Sequence, residues 1–456
     1  MAGFEKGFML GAATAAHQVE GNNVNSDMWA MEHMKSSGFS EPSLDAVDHY
    51  HRYEEDIALM AEAGLNAYRF SIEWARIEPA EGVFDALEMA HYEDVIACCR
   101  RYGLEPIVTL HHFSSPKWII SKGGWETETL PDDFERYVRY VIQHIGRNVR
   151  YICTINEANT GIQIASVAKR IFKQMMAKMQ EDAKDRDLIA EAAGEAEGQI
   201  QMGINFEQLM ESMLAAGKPE NLEVFGVEKL EYFNTMRTSK GDRLVMRAHE
   251  QARNAIKEMY PEIKVGLTLS LHDLQPQEGG GEAAAREWEE DFRHYLPYIQ
   301  EDDFLGVQNY CRSLIGPDGQ LPNPEGAELT QMEYEFYPEA LGNVLRKVAE
   351  DFHGELIVTE NGIATADDSR RVEFIRRALA GVQQCIADGL PVKGYMYWSL
   401  LDNFEWQKGY AMTFGLIAVD RSTQTRYPKE SLAYLGSFAG KRKGDAASDG
   451  CGAAAG

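Results

Sequence analysis

Cysteine is scarce: six residues in a chain of 456, with no Cys-x-x-Cys pair. That is too few for a disulfide scaffold, and it predicts buried free thiols in a reducing compartment, the cytoplasm. Cys98 and Cys99 are adjacent, while Cys153 and Cys311 sit inside apolar runs, where a thiol behaves as a small hydrophobe. Long apolar stretches are missing as well. None reaches the roughly 18 to 20 residues a membrane span needs, and Met1-Ala2-Gly3-Phe4-Glu5-Lys6 has no apolar signal-peptide core. Positive charge is in deficit, with 45 Lys and Arg against 72 Asp and Glu and a net charge of -27. Without a basic surplus to neutralise phosphates, nucleic acid is excluded as a partner, and adsorption on anionic membranes is disfavoured. Pro/Ser-rich linkers and charge blocks are absent before residue 440. Only the small, polar segment 441–456 reads as a disordered tail.

What remains is a globular composition, 44% hydrophobic and 26% charged, which excludes a disordered or fibrous chain. Eight short apolar runs punctuate it: Phe8 to Ala13, Ala67 to Ser71, Pro106 to Leu110, Tyr151 to Ile155, Val265 to Leu269, Phe304 to Gln308, Leu356 to Thr359 and Gly394 to Trp398. Runs apolar on both faces are the pattern of buried parallel strands. Amphipathic helices separate most of them. Tyr53 to Ala63 carries Ile57, Met60 and Ala61 on one face and stops at Gly64; Asp132 to Ile145 aligns Phe134, Tyr137, Val138, Val141 and Ile142; Ser369 to Ala387 is a third. Eight strand–helix alternations predict an α/β fold, a single (β/α)8 TIM barrel spanning residues 1–440 as one catalytic domain. One segment breaks the alternation. Residues 160–247, between the fourth and fifth strands, form an extended, mostly helical excursion, with Ile171 to Met179 and Phe206 to Leu214 as helical stretches. Such an excursion either shapes the cleft at the barrel mouth or packs on the rim.

In this architecture chemistry sits at the C-terminal ends of the strands. The fourth strand ends Thr154-Ile155-Asn156-Glu157 and the seventh Thr359-Glu360-Asn361-Gly362. A glutamate where an apolar strand opens is costly without a partner or a task. Two of them across one mouth form the pair that glycoside hydrolysis requires, a general acid/base and a nucleophile. The other ends suit a sugar. Gln18 follows the first strand, Arg69 lies on the second, His111 and His112 end the third, and Gln308-Asn309-Tyr310 closes the sixth. The eighth runs into Trp398-Ser399-Leu400-Leu401-Asp402-Asn403-Phe404-Glu405-Trp406. Aromatic rings pack on the C–H faces of a sugar while amides and carboxylates bond its hydroxyls.

Five motifs in this order resemble glycoside hydrolase family 1, the retaining (β/α)8 β-glucosidases. They are the run from Phe8 to Gly21, Tyr68-Arg69-Phe70-Ser71-Ile72-Glu73-Trp74, Asn156-Glu157, Thr359-Glu360-Asn361-Gly362, and the run from Trp398 to Trp406. The resemblance implies Glu157 as acid/base and Glu360 as nucleophile. It implies that Asn156 bonds the sugar 2-hydroxyl and that Arg69 and Tyr310 flank the nucleophile. Gln18, His112, Glu405 and Trp406 would bind the outer hydroxyls of the non-reducing sugar, and Trp398 would stack beneath it. The implied reaction is a double displacement on a terminal β-D-glucosyl, galactosyl or fucosyl residue, with no cofactor and with a small β-glycoside or short oligosaccharide as partner. Its carboxyl groups would stand about 5 to 5.5 Å apart, with Glu157 protonated beside the charge of Glu360 and Arg69 holding Glu360 ionised. Three positions depart from the family pattern: Ala158 stands for proline, Phe113 for tryptophan, and Gln308-Asn309-Tyr310 for Asn-Tyr-Tyr.

Rival readings have less support. Metal catalysis would draw on His49, His51, His111 and His112, but adjacent histidines on a strand face opposite ways, and a spacing of two on a helix shares no face. A 6-phospho-β-glycosidase would need a cationic pocket after the eighth strand, where Glu405 and Met412 supply none. A non-hydrolytic sugar-binding barrel would have no need of both glutamates. Glu73 reads as a member of a buried polar network, His17 and His111 as structural histidines, and His249 as helix packing. Trp29 and Tyr334 line the aglycone side or pack the rim.

Overall fold

The apolar runs fold as parallel strands of one ring. The structure, a computed structural model, describes residues 3–181, 199–204 and 219–439, with 173–181 described by backbone alone. The ring consists of β1 (Met9–Ala13), β2 (Ala67–Ser71), β3 (Glu105–His111), β4 (Tyr151–Ile155), β5 in two pieces (Lys264–Gly266 and Thr268–Ser270), β6 (Phe304–Gln308), β7 (Glu355–Asn361) and β8 (Val392–Trp398). Each strand pairs in parallel with the next, and β8 closes on β1 with Met9 opposite Gly394 and Ala13 opposite Trp398. This is the (β/α)8 barrel.

Two details differ from the sequence expectation, each for a physical reason. The run Val265 to Leu269 is not one continuous strand. Its first piece pairs with β4 and its second with β6, and beyond the break Thr268 gives its carbonyl to the Ala158 N–H and its hydroxyl to the Glu157 N–H. Strands β3 and β7 also begin earlier, on glutamates. Arg100 bonds Glu105 at 2.6 Å and Lys264 bonds Glu355 at 2.5 Å, so a charged residue can open a buried strand because a cation meets it.

Helices α1 (His49–Glu62), α2 (Ala86–Arg101), α3 (Leu130–Ile145), α4 (Thr160–Glu181), α5 (Ser239–Met259), α6 (Gly281–Asp291), α7 (Ala340–Ala349), α8 (Asp368–Ala387) and α9 (Glu430–Gly436) surround the ring. Local chemistry sets their starts. Asp85 caps α2 through the Leu87 and Glu88 N–H groups, Thr238 caps α5 through Gly241, and Asp367 caps α8 through Ser369. α1 starts before the apolar stripe because His49 is buried against Asp56 at 2.7 Å, and Arg426 clamps the same carboxylate. The stripe of α3 is fully buried, each large apolar side chain contributing about 1.5–3 kcal/mol. Among the described residues, the five cysteines are free and buried, and no helix is long and apolar enough to cross a membrane. The stretch Phe206 to Leu214 and the tail 441–456 lie outside the described residues.

Candidate active site

Glu360 sits within β7, 3% exposed, with both carboxylate oxygens engaged. Arg69 Nη1 donates to Oε1 at 2.5 Å and the Tyr310 hydroxyl donates to Oε2 at 2.6 Å. The Arg69 guanidinium is wholly buried on β2. Its Nη2 donates to Asn156 Oδ1 at 2.5 Å and its Nε to Thr109 Oγ1 at 3.1 Å. A buried guanidinium is tolerable only when its planar fork is met in this way. Gln308 and Thr268 converge on the same Asn156 oxygen at 2.8 and 3.1 Å, and Asn156 Nδ2 donates to His112 Nε2 at 3.2 Å. Behind Glu360 the chain turns at Gly362, where a Cβ would lie 1.9 Å from the Trp398 carbonyl oxygen, so glycine is required.

Glu157 lies one residue past Asn156 with a left-handed φ of 43°. Its N–H is held by Thr268 Oγ1, and its Oε2 accepts from Thr160 at 2.9 Å. Side chains rarely adopt this region, and functional sites hold a large share of the exceptions. Among the described residues no cation bonds the Glu157 carboxyl. Burial, and then the nearby Glu360 charge, push it well above the usual carboxylate range. Burial raises Glu360 as well, but Arg69 and Tyr310 oppose the rise. Glu157 is therefore raised further than Glu360, whose charge has two donors on it.

The other sequence-predicted residues lie in one contiguous set around this pair. Gln18 Nε2 donates to the Phe404 carbonyl at 2.7 Å and reaches Asn403 Oδ1 and Glu405 Oε2 at 3.3 Å. Gln18 Oε1 and His112 Nδ1 are buried without a protein partner among the described residues. His112 Nε2 lies 3.9 Å from Glu360 Oε1, and its ring lies 5.6 Å from that of Trp398 and 6.2 Å from that of Trp406. Burial and the neighbouring Arg69 charge keep His112 neutral. Burial and the Glu360 charge push Glu405 up to about 8. Sequence reasoning named Gln308 and Asn403 only as parts of strand ends and passed over Thr268 and Thr160. The break in β5 brings Thr268 in, and no local pattern announces it.

The remaining single residues fall into structural roles. Glu73 accepts from Ser114 at 2.5 Å and from the Ala75 N–H, inside a buried network. His17 pairs with Glu32 at 2.7 Å. His111 turns away from His112 toward Ser115 and the rings of Trp125 and Phe233. His249 on α5 joins Thr154 to Asp302. Trp29 stacks on His33, and the Tyr334 hydroxyl bonds the Ile200 carbonyl. Among the described residues no group of three His, Cys, Asp or Glu side chains is arranged to hold a metal ion.

Comparison with known proteins agrees with this geometry. The β-glucosidase A of Thermotoga maritima is 28% identical, over 94% of this chain and 96% of its own. A 6-phospho-β-galactosidase of Streptococcus pneumoniae is 29% identical, over 94% and 97%. Among solved structures, β-glycosidase BGL167 is 42% identical with a TM-score of 0.79, covering 96% of this chain and 97% of that one. The apo β-glucosidase 1317 is 39% identical at the same TM-score, covering 95% and 98%. The family model described as glycosyl hydrolase family 1 matches residues 1–183 and 320–444, and this chain belongs to that family of O-glycosyl hydrolases.

Proposed function

We propose that this family 1 hydrolase is a retaining β-glycosidase that removes a terminal non-reducing β-D-glucosyl residue, with galactosyl and fucosyl residues as the related alternatives. The reading rests on one asymmetry. Two buried carboxyl groups interact electrostatically, but only Glu360 is bonded by Arg69 and Tyr310, while among the described residues no cation bonds Glu157. Glu360 is then the nucleophile, ionised and aimed by two donors. Glu157 is the acid that protonates the leaving oxygen and the base that later activates water. Asn156, held by three donors on its oxygen, presents its amide nitrogen to the sugar 2-hydroxyl. Gln18 Oε1 and His112 Nδ1 offer the outer hydroxyls buried polar atoms that no group among the described residues uses. Glu405 completes that set, Trp406 stacks near it, and Trp398 supplies the surface beneath the ring. No cofactor is required. The buried free thiols suit a reducing cytoplasm.

A 6-phospho-sugar is the second reading, because phospho-β-galactosidases are among the relatives. Against it, the carboxyl of Glu405 stands beside Gln18, and a phosphate on the outer sugar could rest there only with that carboxyl kept protonated, although burial and Glu360 raise it only to about 8. A panel of p-nitrophenyl β-glycosides, with and without a 6-phosphate, tests both, using wild type and Glu360→Gln. Wild type should release p-nitrophenol from the neutral glucoside with retention of anomeric configuration by NMR. Glu360→Gln should lose about four orders of magnitude or more. Release only from the phosphorylated sugar, or an unaffected Glu360→Gln, would overturn the assignment.

A further inference from the structure

The excursion after β4 re-enters the barrel mouth as a short strap, residues 199–204. Ile200, Gln201, Met202 and Ile204 are buried, and the Tyr334 hydroxyl holds the Ile200 carbonyl at 3.2 Å. The Gly203 carbonyl accepts from the Gln407 N–H at 3.1 Å. A Cβ on Gly203 would lie 2.6 Å from the Glu405 carbonyl oxygen, so the strap seats against the Glu405 backbone only because this residue is glycine. Between these anchors the Gln201 amide meets five groups. Its Oε1 accepts from the Tyr310 N–H at 2.6 Å, the Cys311 N–H at 3.2 Å and the Cys311 thiol at 3.8 Å. Its Nε2 donates to Ser270 Oγ at 3.0 Å and the Leu271 carbonyl at 3.3 Å.

Those two backbone N–H groups are the reason the contact matters. β6 ends at Gln308, so the chain at Tyr310 and Cys311 has left the strand ladder, and a buried N–H without a partner costs about as much as a lost hydrogen bond. The Tyr310 hydroxyl must also stay on Glu360 Oε2, and sites of this kind tolerate only about 0.5 Å of error. We propose that Gln201 is a positioning residue for the nucleophile: it replaces the missing strand partner of Tyr310 and so fixes the hydroxyl that orients Glu360. The inference rests on the reading of Glu360 as nucleophile. It gives the excursion a direct part in the reaction, one that Gln201 performs through its amide and not through its bulk.

A double-mutant cycle on p-nitrophenyl β-glucoside tests it, with wild type, Gln201→Leu, Tyr310→Phe and the double variant. Tyr310→Phe should lower kcat by about 10- to 100-fold and Gln201→Leu by about 10-fold with KM within about twofold. The double variant should fall no more than about threefold below Tyr310→Phe, because both changes act through one hydroxyl. Gln201→Glu, which keeps the acceptor, should recover most of the kcat lost in Gln201→Leu. Where leucine prevents folding, Gln201→Asn, with the amide retracted by one methylene, enters the same cycle. Losses that multiply, or a Gln201→Leu or Gln201→Asn as active as wild type, would overturn the inference while leaving the site reading intact. An inactive wild type, or a Tyr310→Phe as active as wild type, would instead overturn the site reading on which it rests.

Discussion

The base of the sugar pocket and the excursion beside it hold their polar groups in different ways. At the base, side chains bond side chains. Arg69, Asn156, Gln308, Tyr310 and Glu360 come from four strands and meet in one buried network. Where the chain enters and leaves the excursion, several side chains bond backbone instead. Asn159 and Gln163 hold the Ser270 carbonyl, and Arg237 donates to the carbonyls of Ala158 and Phe233 while its own N–H bonds that of Gly161. The first arrangement sets charge and protonation, so a change there alters the chemistry itself. The second sets where the chain runs, so a change there alters distances.

Glu157→Gln should give the largest contrast. It removes a proton donor without moving the backbone, and general acid catalysis is worth about 10² to 10⁴-fold. The loss in kcat/KM should be near the top of that range for alkyl β-glucosides, whose leaving oxygen needs the proton. It should nearly vanish for a 2,4-dinitrophenyl glucoside, whose leaving group departs without one. In wild type the activity should fall at low pH as Glu360 gains a proton and at high pH as Glu157 loses its own. Because burial and Glu360 raise Glu157, the alkaline limb should lie well above the ordinary carboxylate range, and Glu157→Gln should lack that limb. Equal losses on the two leaving groups would remove Glu157 from the role of acid.

The same contrast explains what was legible in the sequence. Glu157 and Glu360 stand out because an apolar strand ends in a residue that cannot be buried cheaply. The eight strands stand out because both faces are apolar; hidden are the break in β5, since Leu267 is apolar itself, and the glutamates that open β3 and β7. Thr268 and Gln201 could not be found this way. An uncharged polar residue acquires its partners from the fold, and the Thr268 hydroxyl bonds Glu157 and Asn156 across more than a hundred residues of chain. Arg237 was equally silent: an arginine before a helix is unremarkable until its guanidinium is seen to be buried against Ala158.

Arg237→Met tests the excursion side. The guanidinium holds the carbonyl of Ala158, one residue past Glu157, and methionine keeps the bulk without the donors. The expected loss is about 10-fold in kcat/KM, the size of one misplaced positioning contact. It should follow the leaving-group pattern of Glu157→Gln in miniature, larger for alkyl than for dinitrophenyl glucosides, because the same acid is being displaced and not removed. A loss uniform across leaving groups would mean that the excursion acts on the whole pocket, and the distinction between charge-setting base and path-setting excursion would fail at this point.

Asp27 sharpens the comparison from outside the reaction, and its effect is on stability alone. Like Glu360 it is a buried carboxyl, but the Ser115 and Met28 N–H groups bond only its Oδ1, and Oδ2 has no partner among the described residues. With no cation bonding it, burial outweighs the two hydrogen bonds and pushes Asp27 up to about 7. Its ordinary value is near 3.9, so the folded protein holds a proton that the unfolded chain has released. The stabilisation is complete below about pH 4 and is lost as pH rises through about 7. Thermal unfolding of wild type should therefore shift down by a few degrees more between pH 5 and pH 8 than that of Asp27→Asn, which carries a permanent neutral group. If the two shift alike, Asp27 is ionised despite its burial, and a buried carboxylate in this barrel does not need the guanidinium that Arg69 gives Glu360.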